Sequence, residues 1–235
     1  MPLTIGTCVL GDVPRVALAI RDAMPQETLA AYHAQGGDIV ELRIDQFSDV
    51  TPPHVTEQIR NVTGMPRIGT IRRREEGGGW AGTEQDRLAL YQTVIGHVEA
   101  VDIEINADEI NRPIVEASRQ KQIPIIGSFH DFEATPDINT LENVCAKGNA
   151  LGVDIIKIAC QCANGSDVRT LARLLIEQHE QNLVVIGMGA AAAATRLFFP
   201  ALGSLLVYTF LGAPTAPGQL CWAETLDLIK TFYIR

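Results

Sequence analysis

The sequence predicts an α/β protein folded as a (β/α)8 TIM barrel, and three observations predict it. Apolar runs of strand length alternate with amphipathic segments of helix length, and the alternation repeats eight times at roughly thirty residues per unit. Strict strand-then-helix order demands parallel strands. The first run leads into Gly11-Asp12-Val13-Pro14 and lacks the GxGxxG turn of an open doubly wound sheet.

The first strand is expected at residues 3–10, and a helical pattern follows at 26–35. Strand 38–43 reads Asp-Ile-Val-Glu-Leu-Arg and precedes a helix at 53–62. Strand 67–72 precedes helix 84–97, strand 101–105 precedes helix 107–121, and strand 124–129 precedes helix 138–152. Strand 154–159, Asp-Ile-Ile-Lys-Ile-Ala, has the near-continuous apolar character of a strand buried on both faces and leads to helix 167–180. Strand 183–188 with helix 190–198, then strand 205–209 with helix 218–232, complete the set.

At 235 residues and 46% hydrophobic, the chain suits one barrel, and no charge block or Pro/Ser-rich linker divides it, so residues 1–235 are expected to form a single domain. No apolar run reaches membrane-spanning length and no charged leader precedes a cleavage site, so a cytoplasmic protein is expected. A net charge of -9 argues against a nucleic-acid partner, and any anionic substrate must be drawn by locally placed arginines. Five scattered cysteines, with Cys160 and Cys162 too close for a CxxC pair and no histidine cluster beside them, read as buried free thiols; no metal is expected.

Lys157 is the most informative residue. A buried strand rarely holds an unpaired ammonium, because an uncompensated buried charge is costly and such an amine tends to shed its proton. A neutral amine condenses with a ketone to a Schiff base, although a lysine can also end its strand and snorkel to solvent. In a barrel the C-terminal strand ends carry the chemistry, and those ends hold Glu41, Arg43, Arg72, Asp102, Glu104, His130 and Lys157. Period-two geometry puts Glu41 and Arg43 on one face, and Asp102 and Glu104 on another. His130 ends an apolar strand and can accept and donate a proton near neutrality, whereas His33, His54, His97 and His179 read as surface residues.

Five segments, Glu41-Leu42-Arg43-Ile44-Asp45, Thr70-Ile71-Arg72, Ser128-Phe129-His130-Asp131-Phe132, residues 154–159 and Ala216-Pro217-Gly218-Gln219, resemble in order and spacing the signatures of type I 3-dehydroquinate dehydratase. The resemblance implies a barrel, usually a homodimer, that converts the small molecule 3-dehydroquinate to 3-dehydroshikimate in the shikimate pathway with no cofactor. It implies that Lys157 is the Schiff-base lysine and His130 the general acid/base, with Glu76 rather than its neighbour Glu75 orienting the histidine. Glu41, Arg43, Arg72, Arg196 and Gln219 match substrate-binding positions, and Thr7 is aligned with a hydroxyl residue that touches substrate.

Three departures stand out. Thr215 replaces a serine, an alanine-rich run at 190–194 precedes Arg196, and Leu202-Gly203-Ser204 replaces Phe-Gly-Ser. None removes a group the chemistry requires. On this reading Arg196 and Gln219 clamp the substrate carboxylate, with Thr215 adding a hydroxyl contact, while Glu41 accepts hydrogen bonds from ring hydroxyls and Arg43 and Arg72 hold Glu41 in place and depress the lysine pKa. Two other readings are a class I aldolase, which would want a glycine-rich phosphate loop where this chain has alanines, and a small-molecule-binding barrel without turnover.

Overall fold

The computed structural model describes residues 2–22, 24–211 and 220–233. A hairpin of β1 (Thr4–Ile5) and β2 (Cys8–Val9) comes first, followed by β3 (Arg15–Ile20), α1 (Gln26–Ala34), β4 (Ile39–Arg43), α2 (Pro52–Asn61), β5 (Arg67–Thr70), α3 (Glu84–Val94), β6 (Ala100–Glu104) and α4 (Asn111–Gln120). The second half runs β7 (Ile125–Asp131), α5 (Ile138–Leu151), β8 (Ile155–Gln161), α6 (Gly165–Glu177), β9 (Leu183–Met188), α7 (Thr195–Phe198), β10 (Leu206–Phe210) and α8 (Trp222–Phe232).

Eight parallel strands form one sheet in the order β10-β3-β4-β5-β6-β7-β8-β9, a (β/α)8 TIM barrel. Its two ends meet where Leu205 N donates to Leu183 O at 2.9 Å and Val185 N donates to Ser204 Oγ at 3.0 Å.

The first strand is corrected by the structure. Residues 3–10 are a hairpin, because Ile5 pairs with Cys8 and leaves Gly6-Thr7 as a two-residue turn, with Gly6 at φ +54°. The barrel begins instead at Arg15–Ile20, whose inward Ala17 joins Ile5, Cys8 and Leu10 of the hairpin segment in one apolar cluster. The hairpin therefore plugs the N-terminal end of the barrel. The expected helix at 190–198 shrinks to a 3-10 turn, Ala190–Ala192, and the single turn of α7. Ala193 and Ala194 between them keep right-handed helical backbone angles, but Ala192, Ala193, Arg196 and Leu197 bond three residues back, so the run coils as tight 3-10 turns and not as one α-helix.

Successive residues of each strand point alternately to the barrel axis and to the helices. Ile156, Ile158 and Cys160 of β8 pack outward against Leu171 and Leu174 of α6, while Ile155 points inward with Ile39, Ile126 and Val184. Lys157 and Ala159 follow Ile155 on the inner face, and the same alternation carries Glu41, Arg72, Asp102, Ser128 and His130 to the C-terminal mouth.

Candidate active site

Lys157 is buried at the centre of the mouth, with its side chain only 6% exposed. Its Nζ lies 3.0 Å from Asp102 Oδ2 and 3.4 Å from Glu41 Oε1, and 4.1 Å above the ring centre of Tyr208. Glu41 is fixed by the Thr70 hydroxyl, which donates to Oε1 at 2.9 Å. Burial disfavours the ammonium, yet Asp102 and Glu41 outweigh it and raise the lysine above its ordinary value. This overturns the expectation of an unpartnered, pKa-depressed amine: Arg72 lowers the lysine only weakly beside two carboxylates delivered from other strands.

Arg72 donates to Asp102 Oδ1 at 2.5 Å and to Ser128 Oγ at 2.7 Å, and lies 3.0 Å from Glu104 Oε1. Burial would raise the Asp102 carboxyl, but Arg72 and Lys157 hold it well below the usual carboxylate range. Arg43 is chelated by Asp45, at 3.1 Å from Nε and 2.9 Å from NH2, so Glu41 and Arg43 share a face without pairing to each other.

His130 stands on β7 with Nδ1 2.9 Å from Glu76 Oε2, and its backbone N–H donates to the same oxygen at 3.0 Å. A carboxylate on Nδ1 makes that nitrogen the donor and leaves Nε2 for the cavity. Glu76 is itself held by Arg73 NH2 at 2.9 Å, whereas Glu75 is exposed. Burial, then Arg72 and Lys157, push His130 well below its ordinary pKa, so the ring is neutral at pH 7. Phe132 stacks against it, with ring centres 6.2 Å apart and planes within 13°.

Lys157, His130, Glu76, Glu41, Arg43, Arg72 and Arg196 all line one cavity that opens at the barrel mouth. Arg196 is buried in the wall, NH1 donating to Tyr208 O at 3.3 Å, and burial lowers its pKa to about 10.

A neutral, carboxylate-oriented histidine and a buried lysine facing one cavity at a barrel mouth call for comparison with known proteins. The model of the family described as type I 3-dehydroquinase matches residues 16–235. The chain belongs to that family.

Among its relatives, a 3-dehydroquinate dehydratase of Methanococcoides burtonii is 36% identical over 93% of this chain and 94% of that protein. One of Thermodesulfovibrio yellowstonii is 31% identical over 97% and 99%. The crystal structure of the 3-dehydroquinate dehydratase from Aquifex aeolicus superposes with a TM-score of 0.85 at 31% identity, over 94% of this chain and all of that one.

Within this dehydroquinase-family chain Thr7 takes no part in the mouth. It is an exposed residue of the hairpin turn that plugs the opposite end, a direct consequence of the misplaced first strand. Thr215 and Gln219 lie outside the described residues. Sequence reasoning passed over Tyr208, which supports Lys157, and over Ser128, which donates to Asp102 Oδ1 at 2.6 Å. Ile186 and Met188 supply the apolar wall. An aromatic or a serine within an apolar run carries no sequence signal beyond core packing. Among the described residues no helix is long and apolar enough to cross a membrane.

Proposed function

We propose that the chain dehydrates 3-dehydroquinate to 3-dehydroshikimate through a Schiff base on Lys157, with His130 as general acid and base. The observation that carries this reading is that Lys157 and a His130 oriented by Glu76 face the same cavity. Family membership and the names of the relatives support it.

The ammonium must lose a proton before it attacks the ketone, and Asp102 and Glu41 are the acceptors within reach. Attack gives a carbinolamine, and loss of water gives an iminium that puts a positive charge back where the ammonium was. The carboxylates that hold the resting lysine charged therefore also stabilise the cationic intermediate, as does the face of Tyr208. His130, neutral on Nε2, takes the proton from the carbon next to the iminium. The resulting enamine expels the β-hydroxyl, which leaves as water on taking a proton from the His130 imidazolium. Hydrolysis of the product iminium frees Lys157.

The charges of Arg43 and Arg72 are already matched by Asp45 and by Asp102 with Glu104. Arg196 lines the same cavity as Lys157 and His130 and stands at the position that resembles the family's substrate-binding arginine, and we assign it to the substrate carboxylate, together with Gln219 and the Thr215 hydroxyl. Glu41 accepts hydrogen bonds from ring hydroxyls. A cytoplasmic homodimer of single-domain subunits belongs to the same proposal, and light scattering tests its dimeric state. The decisive experiment is to incubate pure protein with 3-dehydroquinate and follow the ultraviolet absorbance of the conjugated enone. Growth of that absorbance is expected; its absence with active control enzyme overturns the reading.

A further inference from the structure

Arg87 of α3 has 0% exposure although it sits on a helix outside the barrel. Its NH1 donates to Glu104 Oε2 at 2.7 Å and to Ile71 O at 2.9 Å, and its NH2 donates to Glu84 Oε2 at 2.7 Å. Glu104 thereby has one oxygen on Arg87. Its other oxygen lies 3.0 Å from Arg72 NH1 and accepts from Arg73 N at 2.9 Å.

From Glu104 two arms diverge. One runs through Arg72 to Asp102 and on to Lys157. The other runs through Arg73 to Glu76 and on to His130. We propose that Arg87 is a positioning residue for the dehydration, acting through Glu104 to hold both arms and to set the protonation of His130 from outside the barrel. The inference rests on the reading of Lys157 and His130 as the reacting pair.

Attaching α3 to the barrel does not require this arginine. Leu90, Tyr91 and Val94 already bury the inner face of the helix, and an apolar residue at position 87 would add to that contact without desolvating a cation. What Arg87 supplies is charge balance. Burial works against the Glu104 carboxylate, and Arg72 and Arg87 together keep it ionised. Without Arg87, Glu104 would lean on Arg72 alone, drawing it from Asp102, and its less compensated charge would act on the histidine.

The groups that face His130 are Arg72, Arg73 and Glu76 from the segment that follows β5, Asp102 and Glu104 from β6, and Lys157 from β8. Arg72 and Lys157 lower its pKa while Asp102 and Glu104 raise it. Removing the Arg87 cation must therefore move His130 upward, and removing the Glu104 anion must move it downward. A loosened structure would shift both variants the same way, toward the ordinary histidine value.

The test is a proton NMR titration of His130 in the substrate-free protein, with the resonance assigned by its loss in His130→Ala. Arg87→Met should raise the His130 pKa by roughly half a unit or more, and Glu104→Gln should lower it by a similar amount. Arg87→Lys, which keeps the charge, should stay near wild type. The acid limb of kcat/KM should move with the titration in each variant. A folded Arg87→Met or Glu104→Gln that leaves His130 unmoved, or two variants that shift it in the same direction, overturns the proposal. If Arg87→Met does not fold, Arg87→Gln, which removes the charge but keeps a polar side chain, takes its place: it should raise the His130 pKa likewise, and no shift overturns the proposal. The titration needs no turnover, so a protein inactive on 3-dehydroquinate would refute the proposed function while leaving the role of Arg87 measurable.

Discussion

The two ends of the barrel use the same strands and the same alternation to opposite purposes. At the N-terminal end the inward positions are Ala17, Ile39, Ile68, Ala100, Ile126, Ile155, Val184 and Leu206, sealed from below by the hairpin. Two residues further along, four of those strands present Glu41, Asp102, Ser128 and Lys157, all buried. The apolar end loses nothing on leaving water, whereas each ion at the other end must be matched by a neighbour. The mouth is therefore a lattice of alternating charges, Glu41 with Lys157, Asp102 with Arg72, and Glu104 with Arg87. Substitutions at the two ends should separate chemistry from stability.

The largest effect is expected at Lys157. Lys157→Ala should abolish turnover of 3-dehydroquinate, because no iminium forms. In the wild type, borohydride added during turnover should leave a reduced substrate adduct on the peptide that contains Lys157. Full activity in the alanine variant, or an adduct on a different lysine, would refute covalent catalysis at this residue.

His130→Ala comes next. It should still form the imine but lose about 10² to 10⁴ in rate, the usual contribution of a general acid/base. A variant within a few-fold of wild type would assign the proton transfer to another group. The pH dependence follows from the direction of the shift. Because burial, Arg72 and Lys157 lower the His130 pKa, the ring stays a competent base below the ordinary value of about 6.5. The acid limb of kcat/KM in the wild type is accordingly expected below pH ~6.5, and a limb above it would contradict the electrostatics of this cavity.

These two residues were legible in the sequence because a charged or titratable side chain interrupts an apolar run in each case. Their partners were less so. Asp102 and Glu104 showed as strand-end carboxylates, but which cation each one meets depends on the stagger of neighbouring strands, which no local pattern encodes. That is why the sign of the lysine shift was read wrongly. Nothing in the sequence sets Arg87 apart from a surface arginine on a helix, since its burial depends on how α3 packs over the barrel. The first strand was misplaced because residues 3–10 are as apolar as a barrel strand, and only the Gly6-Thr7 turn marks the reversal. The error carried Thr7 into the site with it.

Arg196→Ala should have a smaller effect, on binding more than on chemistry. A charge-assisted contact is worth roughly 1.5 to 3 kcal/mol, so KM should rise about tenfold or more with kcat changed less. An unchanged KM would move the substrate carboxylate to another group. Arg43 and Arg72 would then have to release Asp45 or Asp102 to take it, and Arg43→Ala would become the next variant to assay.

The smallest effect on turnover is expected at the plugged end, where Ile5 is wholly buried among Ala17, Ile39 and the other inward residues of the floor. Ile5→Ala removes three carbons from a packed apolar layer and should destabilise the fold by about 2 to 4 kcal/mol, read as a lower denaturant midpoint at constant m. The charged layer lies above the floor and takes its order from ion pairs among its own members, so kcat and KM should stay within about two-fold of wild type in the folded population. A stability loss without a kinetic one would show that the two layers are mechanically separate. If kcat falls as well, the floor helps to set the height of Lys157 against Asp102, and the plug belongs to the machinery it was supposed only to seal.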